Sequence, residues 1–159
     1  MSEKNNGVAI TKIEDEINKL FDGELKETAL EFVAYLNANQ LTPRLCSPTY
    51  WYIPFNECNL CLIFLKPNEL GFSFFLGDYI GEFDENFTAT VQKHVKICTP
   101  CHDCIYGKEA TIFGKEYTNV CSQGTIEFIN PNFEYIKILI ECSKKIAPHS
   151  KSWHAHNLH

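Results

Sequence analysis

Four cysteines fall in a pattern suited to one soft cation. Cys98, Cys101 and Cys104 follow the spacing C-x-x-C-x-x-C, and Cys121 closes the stretch. Two residues between cysteines let a tight turn bring both sulfurs to one ion. Thiolates are the charged, polarisable donors that zinc takes, at about 2.3 Å in a tetrahedron. Pro100 stiffens the loop and lowers the entropy cost of assembling it. The expected site is therefore zinc held by Cys98, Cys101, Cys104 and Cys121, with His102 as a substitute ligand in a Cys3His variant. C-x-x-C-x-x-C also opens the run that holds a bacterial iron–sulfur cluster. That run continues into Cys-Pro, whereas Cys104 is followed by Ile105-Tyr106-Gly107-Lys108. An iron–sulfur or thiol-redox protein is the first alternative, and a metal chaperone or sensor that exchanges its ion is the second. The plain alternative is a set of reduced thiols packed as small hydrophobes.

The elements that must position these sulfurs are legible as patterns. Thr11-Lys12-Ile13-Glu14 has the form of a capping box. Ile13, Ile17, Leu20 and Phe21 then recur at helical spacing up to Gly23. A second helix is expected over residues 24–39, with Leu25, Ala29, Phe32, Val33 and Leu36 as its stripe, and Pro43 and Pro48 mark a loop. Residues 50–55 and 60–65 read as strands, with Pro54 at an edge or an end. The turn at Lys66-Pro67-Asn68-Glu69 returns the chain as a strand over 71–76. Asp84 is placed to cap a third helix over 85–97, buried through Phe87, Val91 and Val95. A small hairpin follows over 110–120, turning at Gly114-Lys115, then a strand over 125–129. Asn130-Pro131 suits the start of a last helix running to about Lys145.

The stretch from Cys98 to Cys121, with Thr111-Ile112-Phe113-Gly114-Lys115-Glu116-Tyr117 inside it, resembles a group of small proteins from clostridia and related anaerobes. Those proteins pair a cysteine-rich loop with an I-x-G-K-E-(Y/F) hairpin and a closing cysteine. The resemblance extends faintly over residues 50–84 and 130–145. It implies an α+β fold and a zinc site at Cys98, Cys101, Cys104 and Cys121, and it brings no activity. Cys58 and Cys61 have no place in that pattern.

Composition bounds the rest. The chain has 159 residues, 45% of them hydrophobic, 21% charged, with a formal net charge of -6. That is a globular profile, and the scattered basic residues exclude nucleic acid as a main partner. Arg44 is the only arginine, hence the one candidate for a guanidinium clamp. No apolar run approaches the ~20 residues of a membrane span. The polar opening Met1-Ser2-Glu3-Lys4-Asn5-Asn6 carries no secretion signal, so a cytoplasmic chain is expected, where eight cysteines point to metal or redox chemistry rather than disulfides.

The expected architecture is α+β: an antiparallel sheet packed by helices, with a cysteine-rich metal knuckle and a small C-terminal hairpin. It forms one domain over 1–148, followed by a polar tail, 149–159, that carries His149, His154, His156 and His159. Other thiols are expected to pack: Cys61 in a strand, Cys58 at a turn, Cys46 in a loop and Cys142 on a helix. His94 is the histidine nearest the cysteine loop outside it. An aromatic-rich sheet face suggests a ligand groove lined by Trp51 and Tyr79, with Glu57, Asp78, Glu82 and Asp84 at its rim. No catalytic motif is present. The expected function is a metal-stabilised, non-enzymatic domain that binds a small molecule or a protein, and the sequence sets no oligomeric state.

Overall fold

Alternation along residues 51–65 and helical spacing along residues 13–36 decide which side chains face inward, and the chain folds on that basis. The computed structural model describes residues 11–75, 77–99, 107–122 and 124–146. Two helices, α1 (Ile13–Leu20) and α2 (Gly23–Ala38), precede four antiparallel strands, β1 (Arg44–Ser47), β2 (Tyr50–Phe55), β3 (Cys58–Lys66) and β4 (Glu69–Phe74). Helix α3 (Glu85–Lys93), the hairpin β5 (Lys108–Ile112) and β6 (Lys115–Val120), strand β7 (Ile126–Ile129) and helix α4 (Phe133–Ile146) complete the order. The fold is α+β, with a five-stranded antiparallel sheet in the order β1-β2-β3-β4-β7 and a separate two-stranded β5-β6 sheet.

One face of the large sheet is buried through Trp51, Ile53, Cys61, Ile63, Leu65, Leu70, Phe72, Phe74, Ile126 and Phe128. Ile17, Phe32, Leu36, Leu139 and Ile140 from the helices join the same apolar cluster. Phe32 sits edge-on to Phe72 at 5.4 Å and stacks on Phe133 at 5.0 Å, which locks α2 and α4 to the sheet. The opposite face is more open: Tyr50 and Ile129 are exposed, and the Phe64 ring lies over Gly71, where a Cβ would collide with it.

Several local expectations are corrected. Lys12, not Thr11, is the N-cap of α1, and no side chain caps that end; Glu14, Asp15 and Glu16 in the first turn offset the helix dipole instead. Helix α1 stops at Leu20 because Phe21 turns into the core, and Gly23, at φ 58°, opens α2 rather than ending α1. The segment between Pro43 and Pro48 is not a loop throughout: it pairs with β2 as β1. Pro54 lies at the end of an interior strand, beyond the last β1 partner and at a register shift against β3, so its missing N–H costs no regular ladder bond. Asn130 does not cap α4; its amide bridges Leu70 N and Asn68 O, while Asn132 accepts from Glu134 N. Asp84 caps α3 as expected, accepting from Phe87 N at 2.9 Å. No described helix is long and apolar enough to cross a membrane.

Candidate metal centre

Helix α3 ends at Lys93, four residues short of the expected Ile97, and that early end builds the site. After the C-cap His94, residues 95–98 leave the helix and pair antiparallel with two partners. Val95 bridges Ile126 at the start of β7, and Ile97 bridges Val120 at the end of β6. The bonds are short: Lys96 N to Thr125 O, Cys98 N to Asn119 O and Cys121 N to Lys96 O are each 2.8 Å. This segment therefore ties the hairpin to the large sheet.

The register sets the relation of Cys98 and Cys121, the two of the four expected ligands that lie within the described residues. Ile97 and Val120 stand directly opposite, so their neighbours Cys98 and Cys121 project from the other side of the ladder. They are diagonal neighbours, with α-carbons roughly 7–8 Å apart in such a pair. Two sulfurs on a zinc tetrahedron sit about 3.8 Å from each other, given 2.3 Å bonds, which side chains converging from a diagonal pair can reach. Cys121 is buried at 9% exposure and Cys98 is half-buried.

The base of the loop is closed at the same place. Asn119 holds Cys98 twice, through its backbone carbonyl and through an amide bond to Cys98 O at 3.2 Å. Gly107 lies against both: a Cβ there would meet the Asn119 amide and come within 3.0 Å of Cys98 Cβ. Cys98 and Gly107 thus lie side by side at the end of the ladder. Cys101, Cys104 and His102 fall between those points and lie outside the described residues, as does the histidine tail. Among the described residues, no group of three or more His, Cys, Asp or Glu side chains is close enough to hold a metal ion.

The remaining candidates are placed as follows. Trp51 and Tyr79 do not line a groove; they are 1% and 2% exposed, inside the core. The face of β2 that carries Trp51 is the face the helices cover. The Trp51 indole N–H finds no partner among the described residues, and the Tyr79 hydroxyl donates to Phe75 O at 2.9 Å. Cys61 is fully buried in β3, its thiol donating to Leu62 O at 3.2 Å, and burial pushes its ionisation well up. Cys142, on α4, is also raised by burial. Both are packing thiols, whereas Cys46 is exposed on β1. His94 is turned away from a ligand role: its ring stacks on Phe128 at 4.2 Å, and Nδ1 donates to Thr90 O at 2.8 Å. Asp78 accepts from Thr111 N at 2.7 Å and Asp84 caps α3, which gives both acids structural work. Glu57 and Glu82 line separate surface cavities. No known protein family, curated protein or solved structure matches the chain, so the meaning of the site rests on its own geometry.

Proposed function

We propose that this protein is a small zinc-stabilised, non-enzymatic binding domain, with one structural ion held by Cys98, Cys101, Cys104 and Cys121. The observation that carries the reading is the ladder between residues 96–98 and 119–121. It sets Cys98 and Cys121 on one side of a single pair of strands, at the point where the loop containing the other two cysteines begins and ends. Four thiolates fill a tetrahedron and leave no position for water or substrate, so the ion would brace rather than catalyse. Bracing is needed here because the β6 surface is largely exposed and buries little apolar area of its own. The ion would add to the side-chain contacts that already join α3 to the hairpin, such as Gln92 with Ile112 O and Tyr117 with Gln92 O.

The test is elemental analysis of protein from which residues 149–159 have been removed, with thiol counting on the same sample. About one zinc per chain is expected, retained in a Cys46→Ser variant and lost in Cys101→Ser and Cys121→Ser variants. Stoichiometric iron would replace this reading with the cluster alternative. Four freely titrating thiols without metal would end it.

A further inference from the structure

We propose that a cavity between the C-terminus of α2 and the β2–β3 turn binds a small zwitterion of the amino-acid class, with its carboxylate on Arg44 and its ammonium group toward Glu57. This site shares no residue with the cysteine ladder and stands independently of the zinc reading.

The cavity measures about 550 Å³ and is lined by Gln40, Arg44, Tyr52, Phe55, Glu57 and Asn59, among others. That volume lies within the usual range for small-molecule sites, roughly 300–1,000 Å³. Its walls divide by chemistry. Tyr52 and Phe55 supply ring surface, and Gln40 and Asn59 supply amides that both donate and accept. Arg44 is the one arginine of the chain, and it stands directly across the ladder from Tyr52. Among the described residues neither Arg44 nor Glu57 forms an ion pair, although both line the same space. A planar guanidinium presents paired donors that match a carboxylate.

Charge counting gives the second end of the ligand. Arg44 is the one base and Glu57 the one carboxylate among the residues of the lining. Glu57 adds a full negative charge. With a ligand carboxylate on Arg44, the Glu57 carboxylate is the group of the lining left to meet a cation.

Backbone strain points to the same walls. Gln40 follows the C-cap of α2 at φ 60°, and Glu57 takes the second place of the Asn56-Glu57 turn at φ 65°. Glycine is the relaxed residue at both kinds of position. The chain instead holds two long polar side chains in left-handed conformations, and both line this cavity.

The test is calorimetric titration of the full chain with L-phenylalanine, 3-phenylpropionate and 2-phenylethylamine, after a saturation-transfer NMR screen of the proteinogenic amino acids. The zwitterion is expected to bind at least tenfold more tightly than the acid or the amine. Arg44→Gln should abolish the difference from the amine, and Glu57→Gln the difference from the acid. Both side chains are exposed, so an unchanged Tm will show that the fold survives. Failure of every amino acid to bind, or equal binding by Arg44→Gln, would overturn the proposal. Equal binding of the acid alone would overturn its ammonium half.

Discussion

In the five-stranded sheet Cys61 is wholly buried beside Phe72 and Phe74, neutral and surrounded by apolar side chains. At the edge of the β5-β6 hairpin Cys98 is half-buried on a ladder where Lys96, Ile97 and Asn119 are exposed while Val120 and Cys121 are buried. One residue type thus occupies two settings within one small chain. Where helices cover a sheet face, burial raises the cost of a thiolate and the sulfur acts as a small hydrophobe. At the hairpin edge the ladder is half open to solvent, and the Cys98 sulfur is only half-buried. The hairpin meets the large sheet through 2.8 Å backbone bonds at its edge and through Ile112 and Val120, which join the common core.

The comparison breaks most visibly at Phe72. It is fully buried between β4, α2 and α4. Phe72→Ala should cost about 3–5 kcal/mol and lower Tm by roughly 6–20 °C, as one cooperative calorimetric transition. A loss below about 2 kcal/mol would mean that the large sheet is not the stable half. At the hairpin edge, Gly107→Ala pushes a methyl into Asn119 and Cys98 without touching a thiol. A cost of about 1–3 kcal/mol is expected, read as faster amide exchange at Cys98 and Cys121 and weaker retention of zinc. Unchanged exchange at those two amides would separate loop closure from the ladder.

Alkali sharpens the contrast between the thiols. Burial holds the Cys61 thiol above its ordinary value of 9.0, so the unfolded chain loses that proton first. Its contribution is complete below about pH 9 and is lost as pH rises above it, by at most about 1.4 kcal/mol per pH unit. Tyr79, raised by burial and then by its Cys61 and Cys142 neighbours, adds a fall in the same direction beginning near pH 10. Denaturant unfolding of metal-free Cys61→Ala between pH 8 and 10.5 should show a flatter decline than the parent. An equal flattening in Cys121→Ala would erase the distinction.

Much of the architecture was readable because its signals are local. Ile17, Leu36, Ile63 and Phe72 fall where a period of 3.6 or 2 puts them inside, and Asp84 sits where a free helix N–H needs an acceptor. The zinc-type spacing of Cys98, Cys101 and Cys104 is equally local. Residues 95–97 were misread because Val95 continues the apolar period of α3, while the pull into an extended form comes from Thr125 and Asn119, far along the chain. The groove assigned to Trp51 and Tyr79 failed for a related reason: alternation tells which residues share a face but not which face the helices cover.

The sequence by itself determined the α+β class, the paired strands β3 and β4, and the close spacing of three cysteines, since each depends on neighbours within a few positions. Only the tertiary structure decided that Cys121 shares a ladder with Cys98, that Trp51 is buried, and that Arg44 and Glu57 face one cavity. Those are contacts between distant segments, fixed by strand register and helix packing, and no short stretch of residues encodes them.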